Sequence, residues 1–287
     1  MTGILIIATG NQYYGRMAYN LIASIKATEN VPIALIYDAV ALKSLEGNTL
    51  FDGVEMIRYE GQEHALRLKT RLYDLTPFDD TLFIDADTIW LKNKPSELFA
   101  ELSQVDFTIA NHGFADMATG KKLPGMNERN SMYWVEPSDL KEAYHLTAGR
   151  YYSLSTEVIW FKKTDKNHNY FEWVKDTWDA PLIAPREFAG SMPDEFAFSV
   201  ASILQDNYPH KDMWRPSFWA YVNARNGYQD SDIWNNYYLY SAGGKVATAR
   251  IRTFYNNRVK SVFKQMGLLH PFELRDKIKY LPERQKI

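Results

Sequence analysis

Five short apolar runs punctuate the first 110 residues, and most of them stop at a polar residue. Ile4 to Ala8 is unbroken, the pattern of a strand buried on both faces of a parallel sheet. Ile33 to Tyr37 closes on Asp38, Val54 to Tyr59 is a third run, Thr81 to Ile84 ends at Asp85, and Phe107 to Ala110 is a fifth. Between them apolar residues recur at helical spacing: Ala18, Leu21, Ile22 and Ile25, then Ala65, Leu68, Leu72 and Leu75 in a stretch that Pro77 stops. Strands alternating with helices predict an α/β chain, with a mixed, mainly parallel sheet and helices on both faces. In such sheets ligands bind outside the C-terminal ends of the strands. Thr9 to Asn11, Asp38, and Asp85 to Asp87 are therefore expected to share one crevice. Neither GxGxxG nor GxxxxGK[ST] occurs, which leaves dinucleotide and P-loop chemistry without support.

The chemistry concentrates in Leu82-Phe83-Ile84-Asp85-Ala86-Asp87-Thr88-Ile89-Trp90. A buried strand ends in two carboxylates separated by one small residue. Hard cations such as Mg²⁺ and Mn²⁺ take oxygen ligands, often carboxylates shared with substrate phosphates. The small Ala86 leaves room for a nucleotide beside the backbone. A carboxylate-held metal on a diphosphate stabilises a departing nucleoside diphosphate. Asp-x-Asp also occurs by chance in surface turns, and its position after an apolar strand is what favours chemistry here.

Several segments resemble the retaining GT-A glycosyltransferases of the glycogenin and lipopolysaccharide-galactosyltransferase type. Arg67-Leu68-Lys69, then Leu72 and Tyr73, then Thr81 to Thr88 are similar to their Arg-bearing helix and Asp-x-Asp strand. Ala8-Thr9-Gly10-Asn11 with Tyr13 and Tyr14, followed by Ser24-Ile25-Lys26, resembles their uridine-binding start. Asp194-Glu195 before Phe196-Ala197-Phe198 resembles their Asp-Gln element near the anomeric carbon. The resemblance implies a GT-A, Rossmann-like fold and sugar transfer from a nucleotide-sugar donor, a UDP-sugar, with retention. It implies Asp85 and Asp87 as ligands of Mn²⁺ or Mg²⁺. It implies Ala8, Thr9, Asn11, Tyr14, Asp38, Arg67, Asp85 and Ala86 around the donor. Tyr14 would stack on the base, Asp38 would bond base or ribose, and Arg67 would meet phosphate or sugar hydroxyls. Tyr14 also reads as a packing residue, Asp38 as a helix N-cap, and Arg67 as part of a solvated helix face.

Ser191-Met192-Pro193-Asp194 fits a capping box, which accounts for Asp194 and leaves Glu195 the stronger catalytic candidate; a carboxylate there can stabilise an oxocarbenium-like state. The family pattern is broken in two places. Ser155-Thr156-Glu157 stands where an Asn-x-Gly element is expected. Tyr240-Ser241-Ala242-Gly243-Gly244-Lys245 stands where the family has His-x-x-Gly-x-x-Lys, so the third metal ligand is open, with His270 and His112 as candidates. Nucleotidyl transfer also uses paired carboxylates, but no basic Gly-rich loop follows the first strand. A noncatalytic nucleotide-sugar-binding protein is the other alternative.

His112 to Arg150 is polar and irregular, as functional loops and lids are. Tyr151 to Lys162 predicts a strand, Asn169 to Trp178 a helix, and Ser191 to Gln205 a helix with Pro193 in its first turn. Residues 245–287 carry 11 Lys and Arg against 3 Asp and Glu, in a chain of net charge −2. This divides the chain into a catalytic domain, 1–244, with a nucleotide-binding half, 1–110, and an acceptor half, 111–244, followed by a basic helical tail, 245–287. Arg258, Lys260 and Lys264 flank an apolar stripe of Val259, Val262, Phe263 and Met266. The tail is therefore expected either to dock an anionic partner, a membrane glycolipid or nucleic acid, or to pack on the domain. No cysteine occurs, which excludes disulfides and thiolate chemistry. The apolar start is too short for a signal peptide or a span, so the expected location is cytoplasmic, with peripheral membrane contact open.

Overall fold

A computed structural model describes the chain except for residues 44, 46–47, 62, 64, 124–132, 188–190, 221–228, 243–247, 269–271 and 274–287. Its centre is a seven-stranded mixed sheet of order β3-β2-β1-β4-β8-β6-β7. The parallel half is β1 (Thr2–Ala8), β2 (Ile33–Tyr37), β3 (Val54–Arg58) and β4 (Asp80–Asp85). The other half runs antiparallel through β8 (Arg150–Lys162), β6 (Phe107–Asp116) and β7 (Lys122–Leu123). A second sheet joins β5 (Thr88–Trp90), β10 (Leu239–Ser241) and β9 (Ser217–Trp219).

Alternation along the central strands sorts the core into two layers. Ile4, Ile6, Ala8, Leu82, Ile84 and Val158 face one side, where α1 (Gln12–Lys26), α5 (Pro95–Leu102) and the small sheet pack. Leu5, Ile7, Ile36, Phe83 and Ile159 face the other, towards α3 (Ala65–Lys69), α4 (Leu72–Leu75), α7 (Asp165–Asp179) and α8 (Asp194–Leu204). The predicted helices on both faces are thus present. Short α2 (Ala39–Leu42) follows β2, and α6 (Pro137–Ala143) lies on a third cluster with Tyr151 and Phe196.

Three local expectations change. The stripe from Ala65 to Leu75 is two helices, because Thr70 turns its hydroxyl back onto the Arg67 carbonyl (2.8 Å) and the amides of Thr70 and Arg71 take i−3 carbonyls. β6 does not stop at Ala110: it runs to Asp116 through register shifts at Ile109/Ala110 and Asn111/Phe114, so the segment from His112 begins as strand. The rest of that segment is partly α6, and residues 124–132 lie outside the described residues.

The basic C-terminal segment supplies α9 (Asp230–Asn236), just before it, with a partner, and is itself largely α10 (Ala249–Met266). Trp234 of α9 packs on Phe254 of α10, ring centroids 5.8 Å apart. Ile251, Phe254, Tyr255, Val259, Val262 and Phe263 are buried in the same core as α1. Asn20 of α1 donates to the Tyr255 hydroxyl (3.2 Å) and to the Phe272 carbonyl (2.7 Å). Arg258 donates to the carbonyls of Trp90 and Leu91. Most of the apolar stripe expected on a docking helix is therefore spent on the core. Among the described residues no helix is long and apolar enough to cross a membrane.

Candidate active site

The crevice lies at the C-terminal ends of β1, β2 and β4. Ala8 ends β1, fully buried. Thr9 follows, 4% exposed, and its Oγ1 has no hydrogen-bond partner. Gly10 turns the chain in the left-handed region (φ 88°), where a side chain would be strained. Its amide donates to Asp38 Oδ2 at 2.6 Å, while Asp38 Oδ1 accepts from the Ala41 amide at 2.7 Å and caps α2. Asn11 caps α1, its side chain accepting from the amides of Tyr13 and Tyr14. Asn11 and Asp38 thus hold the two strand ends in shape through backbone amides. Tyr14, in the first turn of α1, has its phenol pushed up to about 12 by burial and then by the charges of Asp87 and Asp85, which places it beside the carboxylate pair.

Lys69 organises the centre. It projects from the end of α3 and its side chain is 10% exposed. Its Nζ lies 2.9 Å from Asp85, 3.0 Å from Asp194 Oδ2 and 3.3 Å from Thr156 Oγ1. Thr156, in β8, donates to Asp194 Oδ2 at 2.6 Å. Burial by itself would lower the Lys69 pKa, but Asp194, Asp85 and Glu195 reverse that and raise it above its ordinary value. Arg67, two residues earlier, turns to a different set of partners: it pairs with Asp179 at 2.8 Å and Glu63 at 3.7 Å.

The capping-box expectation for Asp194 does not hold. Pro193 is the N-cap of α8 and makes no side-chain cap bond. Asp194 is instead 2% exposed and faces Lys69 and Thr156. Burial opposes its ionisation, but Lys69 and the Thr156 hydroxyl outweigh it and hold Asp194 below the usual carboxylate range. Glu195 beside it is pushed well up, by burial and then by Asp194. The shared environment therefore drives the two carboxyls of this pair in opposite directions.

No protein-family model matches the chain, and no curated protein matches it in sequence. Solved structures similar to it include the following three. The bifunctional glycosyltransferase WbbM, in its apo form, gives a TM-score of 0.57 at 13% identity, over 92% of this chain and 51% of WbbM. The galactosyltransferase LgtC, solved with donor and acceptor sugar analogues, gives 0.53 at 11% identity, over 93% of this chain and 96% of LgtC. Mouse xyloside xylosyltransferase 1, also apo, gives 0.50 at 10% identity, over 86% of this chain and all of that one. The chain has the GT-A glycosyltransferase fold. It spans about half the length of WbbM.

In this GT-A sheet the residues at the end of β4 suit a hard cation. Asp85 is pushed up to about 7, by burial first and by Asp87 beside it, with Lys69 opposing. Asp87 is raised too, by burial, and carries no ion pair among the described residues. A quarter of the Asp85 side chain remains open to the crevice. The two half-buried carboxylates, one paired with Lys69 and the other with no ion pair among the described residues, leave charge for a cation and present only oxygen donors. Thr88 Oγ1 holds the turn by donating to the Asp85 carbonyl (2.9 Å), and Ala86 between the carboxylates is 4% exposed.

The third ligand stays open. His270, Gly243, Gly244 and Lys245 lie outside the described residues. His112 lines a cavity with Glu157 on the other face of β8, and its pKa is lowered to about 3 by burial and by Arg215. Among the described residues, the one His-containing carboxylate group of metal-binding size is Asp74, His168 and Glu172. It involves α4 and α7, away from the strand ends, and Lys175 pairs with both its carboxylates.

Two participants escaped the sequence reading. Lys69 stood inside the quoted Arg67-Leu68-Lys69 string, and its signal was available: two residues along a helix lie about 200° apart, so Arg67 and Lys69 cannot both face the sheet. Thr156 carried no signal beyond its place in a buried strand.

Proposed function

We propose that the chain moves a sugar from a uridine diphosphate sugar to a saccharide acceptor, with retention at the anomeric carbon. One observation carries this reading: two carboxylate pairs, Asp85 with Asp87 and Asp194 with Glu195, meet around Lys69 at the strand ends of a GT-A sheet. Asp85 and Asp87 would hold Mn²⁺ or Mg²⁺, which supplies positive charge to a departing diphosphate. Tyr14 offers its ring, and Thr9 its unpartnered hydroxyl, to the nucleoside. Ala8 and Ala86 are the small residues at the strand ends beside it, and Asn11 and Asp38 keep that wall in shape. Arg67, on the outer side of α3, has a buried Nη1 with no partner to offer a donor hydroxyl or phosphate.

Asp194, fixed by Lys69 and Thr156, is the more acidic member of the second pair. Glu195 shares a hydrogen bond with it. Together they face the reacting sugar, where positive charge develops in an oxocarbenium-like state. Lys69 ties the two pairs into one unit, so that the donor's diphosphate end and its sugar end are held at a set separation.

The test is nucleotide release. With UDP-glucose, UDP-galactose and UDP-xylose offered in Mn²⁺, at least one should be turned over, and chelation should abolish turnover. Asp87→Asn should lose most activity while melting as the parent does. Undiminished turnover in a chelator would remove the metal, and stabilisation by guanosine or adenosine diphosphates alone would remove the uridine. Nuclear magnetic resonance of the product's anomeric proton reads retention directly.

A further inference from the structure

β8 separates two polar sites. Thr156 points to Lys69 and Asp194, while Ser155 and Glu157, its neighbours, line an enclosed cavity on the other face with His112, Arg215, Ser217 and Trp219. The sequence pattern of the resembled family has Asn-x-Gly here, so the Glu157 side chain in this wall belongs to this chain.

The walls are built to be polar and are left unsatisfied. His112 is 7% exposed, Ser155 1%, Glu157 6% and Ser217 4%. His112 Nε2, Ser155 Oγ, Ser217 Oγ and Arg215 Nε are all buried without a hydrogen-bond partner. A buried polar group left unpaired is costly, and here four unpaired atoms surround one space. The fold also goes out of its way to aim one of them. The β6 bulge carries His112 between Asn111 and Gly113, and Gly113 sits at φ 110°. Asn111 pins the bulge by donating to the Ile109 and Lys211 carbonyls and accepting from the Gly113 amide. Bulges of this kind re-aim side chains beside functional sites.

The charges choose the occupant. Arg215 argues against a cation, and the Asp85–Asp87 pair beside Glu157 argues against an anion. Glu157 is spoken for by Trp219 and Ser241, whose side chains donate to it. The remaining atoms call for a neutral group that both donates and accepts. The space, about 20 Å³, exceeds the roughly 10–15 Å³ that one water-sized group needs and falls far short of a sugar ring. Val158, next to Glu157, is the register partner of Ile84, next to Asp85, and the Ala242 amide donates to the Asp87 carbonyl (3.4 Å), so the cavity adjoins the strand end that carries the carboxylate pair, and a group seated here belongs to a molecule lying there.

We propose that this cavity is a hydroxyl subsite: it takes one hydroxyl of the saccharide bound in the crevice, using His112, Ser155, Ser217 and Arg215, and so selects among sugars by a single substituent. The proposal rests on the sugar-transfer reading above. The hydroxyl comes from the donor sugar or from the acceptor, and the experiment separates them.

The full chain and two variants, Ser217→Val, which fills the space, and Ser155→Ala, which removes one partner, are compared in Mn²⁺ by calorimetry. The probes are UDP, UDP-glucose, UDP-galactose and UDP-xylose, with saturation-transfer resonance for methyl glucoside, methyl galactoside and methyl xyloside. UDP should bind all three proteins alike. At least one UDP-sugar should bind Ser217→Val tenfold or more weaker if the donor supplies the hydroxyl; otherwise a methyl glycoside signal should disappear. Ser155→Ala should show the same loss in smaller degree. Ser217→Val should melt no lower than the parent, since an unpaired hydroxyl is replaced by a methyl group in free space. Sugar binding unchanged in both variants, or a lower melting temperature in both with sugar binding intact, would make the cavity a seat for structural water and overturn the proposal. If the parent binds no UDP yet binds a glycoside that Ser217→Val loses, the transferase reading fails and the subsite stands. If it binds neither, both fall.

Discussion

At the scale of single residues, Lys69 and Arg67 make opposite predictions from neighbouring positions. Lys69 is 10% exposed and compensates Asp194, itself 2% exposed. Removing one member of a buried ion pair leaves the other charge uncompensated and costs about 3–5 kcal/mol. Lys69→Met should therefore melt far lower than the parent and lose turnover. Arg67 pairs with an Asp179 side chain that is 57% exposed, the kind of pair worth about 0–1 kcal/mol, so Arg67→Met should melt within a few degrees of the parent. Equal melting of the two variants would show that Lys69 does not carry the cluster. The carboxylates proposed to act on the sugar divide in the same way. Asp194→Asn should cost both stability and turnover, since it leaves Lys69 half-compensated. Glu195→Gln should lower turnover with little change in donor affinity, the mark of an interaction made mainly in the transition state. Much of this was hidden in the sequence. The Asp85 and Asp87 pair announced itself by ending an apolar run, but Asp194 satisfied a local capping pattern that the fold does not use. A local signal wins on paper because the competing partner, Lys69, is remote in the chain and reaches Asp194 only across β8.

At the scale of elements, legibility followed length and burial. β1, β2 and β4 were readable to within two residues because strands buried on both faces are continuous apolar runs. The small sheet was not: β5, β9 and β10 have three residues each, too few for any period to show. The second half of β6 was hidden by its bulge, which breaks alternation just where His112 is aimed. The basic segment was legible as a helix with an apolar stripe, and only the tertiary structure tells what the stripe faces. Six side chains of α10 are buried, Ile251, Phe254, Tyr255, Val259, Val262 and Phe263. At roughly 1.5–3 kcal/mol for each buried side chain, their sum rivals the whole net stability of a domain, about 5–15 kcal/mol. Truncation after Thr248 should therefore unfold the chain, read as loss of the cooperative melt. A truncated protein that melts normally would return the segment to the role of a separable tail.

At the scale of the whole molecule, the buried titratable groups set how stability follows pH. The carboxyls of Asp85, raised to about 7, and Glu157, raised to about 8 by burial and then by Asp85, hold protons in the folded chain that they release in the unfolded one. Groups raised in this way contribute stability that is complete below their unfolded values, near 4, and is lost as pH rises through the folded ones. His112 works in the opposite sense: its folded value, lowered to about 3 by burial and Arg215, makes stability fall as pH drops below about 6.5. The two trends oppose each other in acid, but above pH 6.5 the histidine contribution fades within about one unit and the carboxyls set the trend. In a chelator, the melting temperature should therefore fall from pH 6.5 to pH 8, and Glu157→Gln should flatten that fall. A cation at Asp85 and Asp87 needs them deprotonated, so it binds better as pH rises and favours the folded state by mass action. Saturating Mn²⁺ should raise the melting temperature more at pH 8 than at pH 6.5. Asp87→Asn should lose that increment while keeping most of the chelator trend, which Asp85 and Glu157 carry. A metal-free melting temperature that climbs from pH 6.5 to 8 would mean that these carboxyls are already ionised in the folded chain.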